Sequence, residues 1–342
     1  MVEHSSSSAL PSSLRSMACL GGGHGLYQTL CAARLCSPET ISAVVTVADD
    51  GGSSGRLRRE LSQIPPGDLR MALAALAGDD ERGQLWARTL QHRFGGHGAL
   101  AGHAVGNLMI AGLNEVLGDE LAALDAIGEL TGSAGRVFPV CTEPLDMEAD
   151  VSGLDEDPRI MRTVRGQVAV ASTVGQVRRV RIIPDRPVAC QEALAAIGEC
   201  DLLTLGPGSW FSSVIPHLLI PSVVEAISAS PALKVVILNL TPEAGETSGF
   251  TAERHIHMLT QHAPRLQVDR ILIDEDVVTS PSERSHVERA ARALGATVSY
   301  APVREEDDRG RFTDRHCPQR LSDALRRIWT EWSEEKSEGR TS

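Results

Sequence analysis

Residues 44–70, VVTVADDGGSSGRLRRELSQIPPGDLR, constrain the fold more than any other part of this chain. The apolar, β-branched run 41–47 reads as a strand buried on both faces. It stops at Asp49 and Asp50, and Gly51, Gly52, Ser53, Ser54 and Gly55 follow. Five small residues offer almost no side chain to bury, so a loop is expected here rather than a packed element. They do offer backbone N–H groups, hydroxyls and freedom at positive φ, which suit close wrapping of a polar ligand. Arg56, Arg58 and Arg59 come next, and the turn Pro65-Pro66-Gly67-Asp68 opens a helix. A buried strand running into acids, glycines, hydroxyls and arginines has the build of a ligand loop; the alternative is a plain surface loop.

The same alternation runs along the chain. Residues 16–20 read as a strand, and GGGHG at 21–25 turns it into a helix from near Leu26 to near Cys36. A glycine turn at a helix N-terminus either receives an anion or makes a tight strand–helix junction. Helical periodicity returns at 67–77, 84–93, 104–117 and 120–130. Strand patterns follow at 137–141, 145–151, 168–174 and 177–183, the last two read as an antiparallel hairpin about Gly175. Strands at 201–205, 234–240, 270–273 and 297–300 then alternate with helices at 190–197, 222–230, 251–262 and 286–294, and 321–332 is the last helix. The expected fold is α/β: one Rossmann-like domain over 16–333, a doubly wound, mostly parallel sheet with helices on both faces. A β-rich insertion or edge subdomain at 136–184 interrupts it, and disordered tails are expected at 1–15 and 334–342.

Four expected strands end in polar loops, at 21–25, 49–56, 206–212 and 239–249, and ligands of open α/β sheets bind beyond such ends. Ser53, Ser54, Arg56, Ser209 and Ser212 are phosphate-type donors, with Arg56 the expected main charged contact to a diphosphate. Gly23 is the expected backbone rest for a phosphate. His103 and Asn107, at the helix start GHAVGN, are further candidates. Asp49 and Asp50 could position a ligand hydroxyl or share a cation, Asp50 as a ligand to Mg²⁺ with a nucleotide diphosphate completing the site; equally, they could bond their own turn. His255, His257 and His262 form no i, i+4 pair and read as surface or ligand-rim residues. Gly51–Gly55 satisfies G-x-S-x-G, but an elbow serine also needs a His and an acid brought to it by the fold, which spacing cannot show. Leu26 stands where a dinucleotide fingerprint needs its third glycine, and no P-loop pattern exists.

Among 342 residues the net charge is −12, which argues against nucleic acid as a partner. Aromatics at 3% leave little stacking surface for a flat cofactor. Seven cysteines, an odd number without a C-x-x-C pair, suit a reduced cytoplasmic protein. The serine-rich start lacks the makings of a signal peptide, and no apolar run has membrane-spanning length, so no membrane insertion is expected.

GGGHG, TVADDGGSSGRLR, PPGDLR, GHAVGN, LGPGSWFSSVIPHLL and NLTPEAGETSGFTAERH resemble, in order and spacing, the gluconeogenesis factor (YvcK) family within the superfamily of phospholactate transferases (CofD). The resemblance runs from about residue 18 to 274. It implies a Rossmann-like fold, cytoplasmic location and binding of uridine-diphosphate sugars such as UDP-N-acetylglucosamine. The implied role is regulatory, in cell shape, envelope synthesis and growth on gluconeogenic carbon sources. The ligand contacts it implies are Gly22, Gly23, His24, Gly25, Asp49, Asp50, Gly51, Gly52, Ser53, Ser54, Arg56 and Asp68, with His103 and Asn107. From the second half come Gly206, Gly208, Ser209, Ser212, Asn239, Thr241, Glu246 and Thr247. A homo-oligomer, such as a dimer, is expected. The chain departs from the family at His24, usually Thr, at Glu243-Ala244, usually Gln-Pro, and at Gln167, often Glu. The alternative is an enzyme of the superfamily, transferring a phospholactyl group from a guanosine diphosphate donor to a deazaflavin with Mg²⁺. A nicotinamide dehydrogenase does not fit the missing fingerprint.

Overall fold

The structure is a computed structural model that describes residues 13–157, 159–243 and 246–339. Most of the expected N-terminal tail, and the end of the expected C-terminal one, lie outside the described residues. The chain opens with β1 (Ser16–Gly21), α1 (Gly23–Cys36) and β2 (Thr40–Val45). Helices α2 (Gly52–Leu61), α3 (Gly67–Leu76), α4 (Glu81–Gln91), α5 (Val105–Leu117) and α6 (Glu120–Thr131) precede β3 (Arg136–Pro139). Then come β4 (Asp146–Ser152), β5 (Met161–Arg165), α7 (Gln167–Ala171), β6 (Gln176–Ile183), α8 (Gln191–Glu199) and β7 (Leu202–Leu205). A π-helical turn, Trp210–Val214, runs into α9 (Ile215–Leu218) and α10 (Pro221–Ala229), followed by β8 (Leu233–Ile237) and α11 (Ala252–His262). The remainder is β9 (Arg270–Asp274), α12 (Pro281–Arg292), β10 (Thr297–Ala301), the hairpin β11 (Arg304–Glu306) and β12 (Phe312–His316), and α13 (Pro318–Gly339).

Seven strands form one sheet in the order β10-β9-β8-β7-β1-β2-β3, and every pair in it is parallel. From β1 the chain builds outward to β2 and β3, then returns to the other side of β1 and builds outward through β7 to β10. That reversal puts the switch point between β1 and β7. The central strands are buried from end to end, as in β7 and β9, because helices cover both faces. On one face α1 packs against α3 and α13; on the other, α8, α9, α10 and α11 lie together. No single helix among the described residues is long and apolar enough to cross a membrane. The bent pair Trp210–Leu218 and Pro221–Ala229 is apolar because Trp210, Phe211 and Val223 sit in the core.

Several expectations are corrected. The strand expected at 137–141 is β3, the parallel edge of the main sheet beside β2, so the insertion begins only at β4. Residues 168–174 are not a strand: Gln167–Ala171 is a helical turn, and no hairpin forms about Gly175. Instead β4 is the middle of a three-stranded antiparallel sheet, with β6 on one side and β5 on the other. Val168 and Val174 stay exposed, so β-branching there had no pleated surface to pack on. The glycine turn is the first turn of α1 rather than a loop before it. Likewise the small residues after Asp50 do pack: they start α2, with Ser53, Ser54 and Gly55 buried. His255 is buried too, edge-on to Trp210 and Phe250. Residues 334–339 continue α13, where Glu335 holds the buried Arg270 at 2.6 Å.

Candidate functional site

The loops after β1, β2, β7 and β8 lie at the C-terminal edge of adjacent strands and enclose two neighbouring cavities of about 290 Å³ each. His24, Gly25, Gly208 and Glu243 line both, so the two are halves of one cleft. Together they fall within the roughly 300–1,000 Å³ of small-molecule sites.

The inner half is bounded by Gly22–Gly25 on one side and by Ser209, Ser212 and Ser213 on the other. Three small residues let the backbone come forward. Gly22 gives α1 no side-chain cap and its first turn holds no acidic residue; Asp68 of α3 takes the Gly23 N–H, and the Gly22–Gly25 backbone lines the cavity beside it. Gly25 is required by a close approach: a Cβ there would stand 2.1 Å from the Pro207 carbonyl oxygen. The Gly206–Pro207 bond is cis, and Asn239 clamps the turn by accepting the Gly208 N–H at 3.1 Å and donating to the Gly208 carbonyl at 2.9 Å.

Carboxyl groups make up the floor. Asp49, Asp68 and Glu243 line the inner half. Burial raises Asp68 to about 7, and the neighbouring charge of Asp49 adds to the rise, against the Gly23 N–H and Arg70. Burial also raises Glu243. Arg70 stands behind the floor, held by Asn107 at 2.9 Å, and burial lowers it to about 10. The floor therefore carries less negative charge near neutrality than three carboxyl groups would suggest. It can accept or donate hydrogen bonds to ligand hydroxyls.

The outer half runs from His24 and Gln28 past Pro207, Asn239 and Thr241 to Asp314, Arg315 and His316 of β12. Burial lowers the His24 imidazole, and Arg315 and Arg70 lower it further, so it faces the cleft neutral. Burial likewise lowers His316 to about 4. Arg315 is the exposed cation at this rim.

Of the residues read from sequence, Gly22, Gly23, His24, Gly25, Asp49 and Asp68 line the cleft, as do Gly208, Ser209, Ser212, Asn239 and Thr241. The others do not. Ser53 bonds His103 at 2.9 Å and accepts from Asn107 at 3.0 Å, and Asn107 also reaches Ser54; all four are buried where α2 meets the start of α5. Gly51 and Gly52 cap and begin α2, and Gly206 enters the cis turn. Arg56 donates to the Ala101 and Ala99 carbonyls at 2.8 and 3.5 Å, outside both cavities. Glu246 and Thr247 are buried behind the wall: Glu246 accepts the Phe211 N–H at 2.9 Å, Thr247 the Glu243 N–H at 2.8 Å. Both oxygens of Asp50 accept N–H groups of α7. The sequence reading passed over Gln28, Ser213, Asp314, Arg315 and His316, and treated Gln167 and Glu243 only as departures from a pattern. β12 has no apolar periodicity that would have marked it.

Among the described residues no three His, Cys, Asp or Glu side chains gather as a metal site. Asp49 and Asp68 are the carboxyl groups that would hold a Mg²⁺ carried in on a diphosphate, since Mg²⁺ needs one or two carboxylates plus phosphate oxygens.

Residues 17–304 match the profile of the family described as 2-phospho-L-lactate transferase CofD. A Mycobacterium leprae protein, provisionally named a gluconeogenesis factor, is 56% identical over 315 residues, 92% of this chain and 86% of its own. The gluconeogenesis factor of Bacillus subtilis is 36% identical over 278 residues, 81% of this chain and 84% of the other. A crystal structure of a UPF0052-family protein from Bacillus halodurans superposes with a TM-score of 0.79 at 33% identity, covering 91% of this chain and 99% of that one.

Proposed function

This chain belongs to the gluconeogenesis-factor (YvcK/UPF0052) family of CofD-like proteins, and from that membership we propose that it is a nucleotide-sugar-binding regulator. Its ligand is of the UDP-N-acetylglucosamine type, and its role lies in cell shape, envelope synthesis and growth on gluconeogenic carbon sources, within the cytoplasm. The observation that carries the reading is the glycine-built start of α1, whose Gly22–Gly25 backbone opens on a cavity rimmed by Ser209, Ser212 and Ser213. Backbone donors at a helix N-terminus suit a diphosphate. The carboxyl floor suits sugar and ribose hydroxyls, and the outer half, from Asn239 to Arg315, leaves room for the rest of the nucleotide.

A thermal-denaturation panel of UDP-N-acetylglucosamine, UDP-glucose, NAD, and GDP with a deazaflavin, each with and without Mg²⁺, tests it. Ligand at a hundredfold excess over its Kd adds about 2.7 kcal/mol. For a chain of this length that raises Tm by a few degrees, at roughly 2 °C or somewhat less per kcal/mol. The expected result is a rise with UDP-N-acetylglucosamine. A rise only with GDP and Mg²⁺ would favour the transferase reading, for which the meeting of Asp49 and Asp68 at the floor is the supporting feature.

A further inference from the structure

Among the described residues, Gln167 is the one member of the three-stranded insertion that lines the cleft. The strands around it pair only with each other, β4 with β5 and β6. What holds Gln167 at the cavity is Asp50. Its Oδ2 accepts the Gln167 N–H and its Oδ1 the Val168 N–H, each at 2.9 Å. One carboxylate thus satisfies two N–H groups at the start of α7, across 117 residues and from the loop after β2. Gly166 makes the contact possible. Its φ is +98°, and a Cβ there would stand 2.5 Å from Asp50 Oδ2. The Gly166 N–H donates to the Met147 carbonyl of β4 at 2.7 Å, so the joint continues into the insertion sheet.

The Gln167 side chain is half-buried, and among the described residues its amide has no hydrogen-bond partner. It faces a cavity that already holds the carboxyl groups of Asp49, Asp68 and Glu243. An amide in that setting supplies a donor and an acceptor without adding charge. A hydroxyl or acetamido group can use both the amide's donor and its acceptor, whereas a phosphate could use only the N–H groups.

We propose that Gln167 reads the uncharged, hydroxyl- or amide-bearing part of the ligand, and that Asp50 is its positioning residue, a joint between core and insertion rather than a metal ligand. The Gln167 half of this rests on the nucleotide-sugar reading; the Asp50 half does not. Because Asp50 directly follows Asp49, ligand seated against Asp49 and an insertion pinned by Asp50 share one length of backbone. Occupancy of the cleft and placement of the insertion are then linked.

The test uses Asp50→Asn, Gln167→Ala and the double variant. Calorimetry measures affinity for UDP-N-acetylglucosamine and for UDP, and hydrogen exchange of residues 166–172 is followed without ligand. Each single variant should weaken UDP-N-acetylglucosamine about tenfold, the size of one lost hydrogen bond, and leave UDP unchanged. The double variant should be no weaker than Asp50→Asn alone, since both remove one interaction. Asp50→Asn should also speed exchange at 167 and 168. Equal losses for UDP and UDP-N-acetylglucosamine, or losses that multiply in the double variant, would overturn the Gln167 assignment. Unchanged exchange would overturn the joint. A wild type that binds neither nucleotide defeats the nucleotide-sugar reading and the Gln167 role with it, while the exchange result still decides Asp50. If Asp50→Asn does not fold, Gly166→Ala, which pushes a methyl group at the same carboxylate, carries the exchange measurement.

Discussion

Gly25 brings the backbone of α1 nearer to Pro207 than any side chain would allow, whereas Gly23, two residues earlier, has open space around it and a φ of +57°. Alanine should therefore fail at the two positions for different reasons. Gly25→Ala forces α1 from the cis turn, an overpacking cost of about 1–3 kcal/mol or more. Gly23→Ala meets no neighbour and bears only left-handed strain, roughly 1–2 kcal/mol. Urea unfolding of both variants checks this; a smaller loss at Gly25 than at Gly23 would show that the close approach yields easily. Asp68 offers a pH test. Its carboxyl stays protonated in the folded protein up to about 7, while the unfolded chain releases that proton near 3.8. The stability this neutral carboxyl carries is whole below the lower value and is lost as pH rises through the upper one. Asp68→Asn should match wild type below about pH 4 and exceed its stability near pH 8, by at most about 4 kcal/mol. Curves that stay parallel across that window would mean that Asp68 titrates normally.

Among the elements, α2 is tied to both of its neighbours by arginines. Arg58 donates to the Leu145 carbonyl at 3.0 Å and pairs with Asp146, which also holds Arg165 of β5 at 2.8 Å. On the same face of the insertion Arg181 holds Asp150 at 2.5 Å. Arg58→Ala should cost about 1.5–3 kcal/mol, the range for hydrogen bonds of a charged group, and raise exchange in β4 while leaving β7 and β8 protected. Uniform loss across the sheet would contradict a local tether. Arg56 is different: its bonds go to loop carbonyls outside the cleft. Arg56→Ala should leave UDP-N-acetylglucosamine affinity within about twofold, ~0.4 kcal/mol. A larger loss by calorimetry would return Arg56 to the ligand. These arginines also show where the sequence was opaque. The apolar runs of β1, β2, β7, β8 and β9 were legible because a strand covered on both faces needs no alternation. Outward on β4, Asp146, Glu148 and Asp150 pair with arginines of β5 and β6, and such charged positions carry no apolar signal. β5 was lost for that reason, and α7 because its start is set by Asp50 from far away.

For the whole molecule, the site was legible as a set of loops and not as a set of contacts. Small and polar residues after buried strands drew attention to Gly22–Gly25, Asp49 and Ser209, which line the cleft. The same residue types at Ser53, Ser54, His103 and Asn107 form a buried network instead, and polarity alone does not distinguish the two. Asp314, Arg315 and His316 reach the cleft only because β11 and β12 fold back over it, a long-range event that no local pattern announces. The strand order itself sets a timetable. β1 ends up inside the sheet, between β2 and β7, yet it precedes both in the chain. Thr40–Val45 soon covers one of its edges, but the other waits for Leu202–Leu205. At ~5–20 residues per second, synthesis takes about 10–40 s to cross that gap. Throughout it the growing chain carries a finished apolar strand with an unpaired edge, the kind of surface that invites pairing with another chain. For this fold, then, the hazardous interval falls on the ribosome, and a pause in translation between β1 and β7 would lengthen it.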